Sequence, residues 1–168
     1  MKRACIAIVD AARARLFTYQ EDADPGRELR EVRDLTNPGR RLKQSEMFSE
    51  TRPPLGQSGR PGPSGEPGST KDDHRDDHVN MMDMKFAKEV IEEIEEIIRS
   101  EAYGRVILIA GPKMLGELRK ANGALKRNGD LVVDEIPRDL ANLTATQLHD
   151  HLASLDMIPG RQRLKMAR

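Results

Sequence analysis

The densest group of residues able to hold a metal or move a proton is Asp72-Asp73-His74-Arg75-Asp76-Asp77-His78. His74 and His78 are four apart, so on a helix both imidazoles share one face with carboxylates beside them, a donor set suited to zinc, manganese or magnesium. The same run also adjoins the start of an amphipathic segment, where a helix dipole favours acids without any metal. No metal or other cofactor is assigned, and His74 and His78 stand as the candidate ligands. His149 and His151, two apart, diverge on a helix and read as surface histidines.

A second set of carboxylates is spread through the chain. Two-metal nuclease chemistry needs acids converging from a first strand, a long helix and a later strand. Asp10 meets the first need and Glu89 or Glu92 the second, but the later strand ends in Ala110-Gly111-Pro112 with no acid. Asp10 is better suited to shaping the turn that follows it. Gly111-Pro112-Lys113 ahead of a helix lacks the spacing of a phosphate-binding loop and reads as helix punctuation. Cys5, the one cysteine, has no base beside it in sequence and reads as a core residue. It excludes an internal disulfide framework and any multi-cysteine zinc site.

The elements that must position these residues follow from periodicity. Ala4–Val9 is continuously apolar, the pattern of a strand covered on both faces. Arg13–Gln20 and Leu29–Leu35 complete an antiparallel meander around the turn signal Asp24-Pro25-Gly26, and the third, most polar strand belongs at the edge. From about 79 to 101 the apolar residues Met82, Phe86, Val90, Ile94 and Ile97 follow helical spacing. Val106–Ala110 is a second continuous strand, Lys113–Ala121 a short helix closed at Asn122-Gly123, Leu131–Ile136 a last strand, and Thr144 caps a final helix through about Leu155. The order β-β-β-insert-α-β-α-β-α makes the fold α/β. It is the ribonuclease-H-like three-layer arrangement: a mixed five-stranded sheet ordered 3-2-1-4-5, helices on both faces, and a long disordered insert after strand 3.

The 168 residues form one domain, 1–168, with the insert over 37–78 and a basic tail over 160–168. Hydrophobic residues make up 37% of the chain, but between 37 and 78 there are only four, Leu42, Met47, Phe48 and Leu55, so the polar insert dilutes an ordinary core. From Pro53 to Gly68 ten of sixteen residues are Pro or Gly, with Gly at every third place. Too few prolines occupy the other two places for a collagen helix to hold, leaving an extended or disordered loop. The apolar run after Lys2-Arg3 is too short for a secretory signal or a bilayer span, so a soluble cytoplasmic protein with no membrane association is expected.

Twenty-eight bases balance 28 acids, which excludes a uniformly basic nucleic-acid binder. The balance is uneven along the chain. Residues 37–71 carry six bases against three acids and 72–101 eleven acids against four bases, and Arg161, Arg163, Lys165 and Arg168 end the chain. The insert and tail can therefore reach phosphates while the long helix faces away. Aromatics are 3% and mostly suited to the core, so base-stacking platforms are not expected.

Several short pieces, in order, resemble a known family, the bacterial host attachment proteins. They are Val9-Asp10-Ala11-Ala12-Arg13-Ala14-Arg15-Leu16-Phe17, Leu35-Thr36-Asn37-Pro38, Asp77-His78 before Phe86-Ala87, Val106–Ala110 with Pro112 and Leu115-Gly116-Glu117-Leu118-Arg119, and Arg138-Asp139-Leu140. That family in turn resembles the middle domain of archaeal and eukaryotic class-I peptide release factors, in which a long loop after the third strand carries a Gly-Gly-Gln tip to the ribosome. The insert here lies at the same point and contains Gly56-Gln57, with Leu55 in place of the first glycine.

What the resemblance implies is a non-catalytic module that binds the ribosome or structured RNA. The candidate contacts are Arg52, Gly56, Gln57, Arg60 and Lys71 in the insert and Arg161, Arg163 and Lys165 in the tail. Hydrolysis of peptidyl-tRNA through Gln57, or of RNA, is the alternative, and an indirect role in attachment to host cells is a third. Oligomeric state is not legible.

Overall fold

A computed structural model describes residues 3–21, 29–41, 70–127 and 129–161, with the side chains of 41, 70–75 and 124 outside the description. Strands β1 (Arg3–Val9), β2 (Arg13–Gln20) and β3 (Arg30–Thr36) come first, then a single turn of helix, α1 (Pro38–Arg41), and the long helix α2 (Thr70–Ser100). After them come β4 (Arg105–Ala110), α3 (Pro112–Ala121), α4 (Gly123–Arg127), β5 (Val132–Ile136) and α5 (Ala145–Ser154). The sheet order is β3-β2-β1-β4-β5, as the alternation of hairpins and crossovers requires. The β1–β2 and β2–β3 pairs are antiparallel, and the β1–β4 and β4–β5 pairs parallel.

Both faces of β1 are buried, and the two faces belong to separate clusters. Cys5, Ala7 and Val9 pack with Phe86, Val90 and Ile94 of α2 and Leu115 and Leu118 of α3. Ala4, Ile6 and Ile8 pack with Phe17 and Tyr19 and with Leu148 and Leu152 of α5. A strand covered twice must be apolar at every position, so its sequence is a continuous run and not an alternation. The most polar strand, β3, lies at one edge with Arg30, Glu31, Arg33 and Asp34 exposed, and charge there discourages pairing with another chain.

Helix α2 begins at Thr70, nine residues ahead of the expected start, so residues 70–78 are helical and not part of the insert. Thr70–Ser100 contains no Gly or Pro, and acids in its first turns suit a helix N-terminus. The opening turns lack apolar residues, so a reading based on apolar spacing misses them. Residues 38–41, also assigned to the insert, form α1, with Pro38 at the first helical position, where its missing N–H costs nothing. Helix α3 ends at Ala121 with Asn122 as its cap, as expected, and the chain then re-enters a short helix that buries Leu125 in the α2–α3 cluster. At α5 the expected cap is present. Thr144 accepts a hydrogen bond from the Gln147 amide while the Gln147 side chain accepts from the Thr144 amide, a reciprocal capping box. The remainder of 37–78, residues 42–69, lies outside the described residues. Among the described residues no helix is long and apolar enough to cross a membrane.

Candidate functional site

The parallel neighbours β1 and β4 end side by side, and the chain diverges from them in opposite senses, back through the β2 hairpin and forward into α3. In open α/β sheets this is where a crevice forms. A cleft of about 220 Å3 lies there, lined among others by Asp10, Arg40, Asp83, Lys113 and Asp139.

Asp10 leaves β1 and turns the chain. Its Oδ1 accepts hydrogen bonds from the amides of Ala12 at 2.6 Å and Arg13 at 2.7 Å, as an Asx turn does. Asn37, buried after β3, fastens to this turn: its amide donates to Ala12 O at 2.8 Å and its Nδ2 to Ala11 O at 2.9 Å. Its Oδ1 accepts from Gly39 N at 3.2 Å and its carbonyl from Arg40 N at 3.1 Å, which shapes α1. Gly39 lies against α2 so closely that a β-carbon there would stand 1.9 Å from Met82 Sδ, so any larger residue would push the Met82 side chain aside.

From α1, Arg40 grips Asp83 of α2 with both arms, Nε to Oδ1 at 3.0 Å and Nη2 to Oδ2 at 2.7 Å. Asp83 is 2% exposed, and Lys113 at the start of α3 places its Nζ 3.4 Å from Oδ2. The hydrogen bond with Asp83 raises the pKa of Arg40 further above its ordinary value. One buried carboxylate thus holds α1, α2 and α3 together at the mouth of the crevice. Sequence reading missed Asp83, although a signal was present: with Phe86, Ala87 and Val90 it occupies the i, i+3, i+4, i+7 positions of the apolar stripe. An acid on that stripe must be paired once buried.

The acids expected from the long helix are elsewhere. Glu89 and Glu92 are exposed on the outer face of α2 and do not reach the crevice. Among the described residues no three acidic, histidine or cysteine side chains come together where a metal ion could be held. His78 is exposed on α2, and the side chain of His74 lies outside the described residues. Asp10 shapes its turn, and Cys5 is buried in the core, where desolvation pushes its thiol pKa up to about 12.

The surface reading of His149 is wrong. Its ring is fully buried beside Leu148 and Leu152, stands edge-on to Tyr19 with centroids 5.8 Å apart, and donates from Nε2 to Pro159 O at 2.9 Å. His149 is on the apolar stripe of α5, which sets its burial. His151 projects differently and is half-buried.

Of the expected RNA contacts, Arg52, Gly56, Gln57, Arg60, Arg163 and Lys165 lie outside the described residues, as does the side chain of Lys71. Arg161 is described, and its guanidinium pairs with Asp150 through two hydrogen bonds of 2.9 and 2.8 Å.

The sequence profile of a family described as "Protein required for attachment to host cells" matches residues 5–152. The chain belongs to this family. The match runs from β1 into α5 and takes in the whole sheet and the crevice. A search of curated proteins finds no match. Among solved structures, a Ppx/GppA phosphatase of Aquifex aeolicus, type II variant, is similar over 81% of this chain and 36% of its own, with 15% identity and a TM-score of 0.35. The chain spans about a third of that enzyme's length, and a likeness at this level carries no inference about activity.

Proposed function

We propose that this member of the attachment family is a non-catalytic binding module, of the kind of a release-factor middle domain, that engages structured RNA, the ribosome included, through residues 42–69. The observation that carries the reading is the way the root of that segment is mounted. Asn37 ties the chain to the β1–β2 turn and Arg40 ties it to the buried Asp83, so α1, the last described element before that segment, is fixed at the mouth of the crevice. A long Pro/Gly-rich segment inside a compact domain is uncommon and points to use.

Pairing of the crevice charges supports the absence of catalysis. Asp83 is engaged by Arg40 and Lys113, and Asp10 by two backbone amides, so these acids serve as struts. In this reading the family's attachment phenotype is indirect, through altered synthesis of other proteins.

The test is sedimentation of lysates from growing and starved cells through a density gradient, comparing the parent chain with one lacking residues 53–69. The parent is expected in the ribosomal fractions and the deletion variant at the top. Parent protein that is ribosome-free in both states and binds no RNA hairpin would overturn the proposal.

A further inference from the structure

Residues 42–69 carry Lys43, Arg52 and Arg60 against Glu46, Glu50 and Glu66, so the segment has no net charge. In the tail, Arg161 is already paired with Asp150. Most of the affinity of a protein for a phosphate backbone comes from cations that displace condensed counterions. If the segment is the probe, cations elsewhere on the domain can add this share.

Residues 112–127, which form α3 and α4, carry five bases against one acid in a chain of zero net charge. Lys120 is 71% exposed and its one ion pair, with Glu117 three residues before it, is a surface contact of little energy. Lys126 and Arg127 are exposed, and among the described residues neither has an ion-pair partner. Arg119 is committed to Glu135 of β5, which places this side of α3 towards the β5 edge.

Some acids of α2 lean the other way. Glu93 reaches Arg33 of β3 at 3.3 Å, on the opposite edge of the sheet. At about 100° per residue, Glu89 and Glu96 project within roughly 60° of Glu93, so they tilt towards β3 as well. Within α3 and α4 themselves, only Glu117 offsets the five bases.

We propose that the exposed ridge formed by Lys120, Lys126 and Arg127 is a phosphate-contact surface for an RNA helix. It rests on the reading of the domain as an RNA-binding module and assigns to this surface the electrostatic share of binding. Lys113, paired with Asp83 beside Arg40, opens α3, and the helix runs from there for about 15 Å, about 1.5 Å for each of its ten residues, towards Lys120. RNA held at the crevice can thus continue over α3 and α4.

The test uses a fluorescent RNA hairpin titrated by the full chain, by Lys120→Gln/Lys126→Gln/Arg127→Gln, and by the chain lacking residues 53–69, each over a series of potassium chloride concentrations. On a duplex each phosphate contact contributes about 0.9 to the slope of log K against log salt, so losing three lowers the slope by about 2.7 and the affinity on the order of 10²-fold at 0.1 M salt. Circular dichroism of the triple variant should match the parent, because all three side chains are exposed. A triple variant with the parent's slope and affinity, alongside a deletion variant that no longer binds, overturns the ridge and leaves the module reading standing. A parent chain that does not bind the hairpin and is free of ribosomes overturns both.

Discussion

Replacing Arg40 with methionine should cost more than replacing its partner Asp83 with leucine. The two side chains are bonded to each other, but their surroundings differ: Asp83 is 2% exposed and Arg40 30%. Without Arg40 the carboxylate loses both arms of its paired hydrogen bond and keeps only Lys113, at 3.4 Å. Breaking a fully buried pair costs about 3–5 kcal/mol, and the partial exposure of Arg40 with the surviving lysine brings this to about 2 kcal/mol. For a chain of this size that lowers the melting temperature by roughly 4–8 °C. Without Asp83, the guanidinium can turn to solvent while leucine joins the apolar stripe, so Asp83→Leu should cost about 1 kcal/mol or less. Arg40→Met/Asp83→Leu should then be no less stable than Asp83→Leu alone, a coupling close to the whole cost of the arginine change. Urea unfolding followed by far-ultraviolet circular dichroism measures all four chains, since the protein has no tryptophan. If Asp83→Leu proves more costly than Arg40→Met, or if the two changes simply add, the buried carboxylate is not what makes this strut expensive to break.

Gly39→Ala places a methyl group 1.9 Å from Met82 Sδ, so the Met82 side chain must move and the change should destabilise by about 1 kcal/mol in the same urea assay, with Met82→Ala in that background relieving the clash. Cys5, buried and with its thiol pushed up to about 12, should not react with a disulfide reagent in the native protein and should react at once in urea; rapid native labelling would show that β1 opens. Glu31 has its pKa lowered, first by its hydrogen bond with Arg15, so its contribution is full above the unfolded value of 4.5 and is lost as pH falls through the lower folded value. Glu31→Gln should therefore flatten the acid side of a stability-against-pH curve by less than about 1 kcal/mol and change nothing in its shape near neutrality.

Much of the fold was legible because the covering of each strand is written in its composition. Both central strands are continuous apolar runs, the edge strand β3 is charged, and Thr144 with Gln147 announces the start of α5. The opening turns of α2 were illegible for the opposite reason, since helix made of charged residues shows no apolar period. His149 and Asp83 were misjudged or missed because each is a polar residue on an apolar stripe. Residue type argued for the surface and position for the interior, and position decided.

The sequence alone determined the order of elements and the sheet they build, because hairpins and right-handed crossovers leave few ways to arrange five strands. It also determined that the polar segment after β3 is distinct from the core, through its Pro/Gly content and scarcity of apolar side chains. Only the tertiary structure decided which charges meet. Arg40 and Asp83 are 43 positions apart, and Arg119 and Glu135 belong to a helix and an edge strand that sequence periodicity does not connect. Periodicity states which face of an element is buried, but the partner of a buried charge depends on how elements cross. That crossing turned Asp83 from one acid among eleven between 72 and 101 into the strut at the mouth of the crevice.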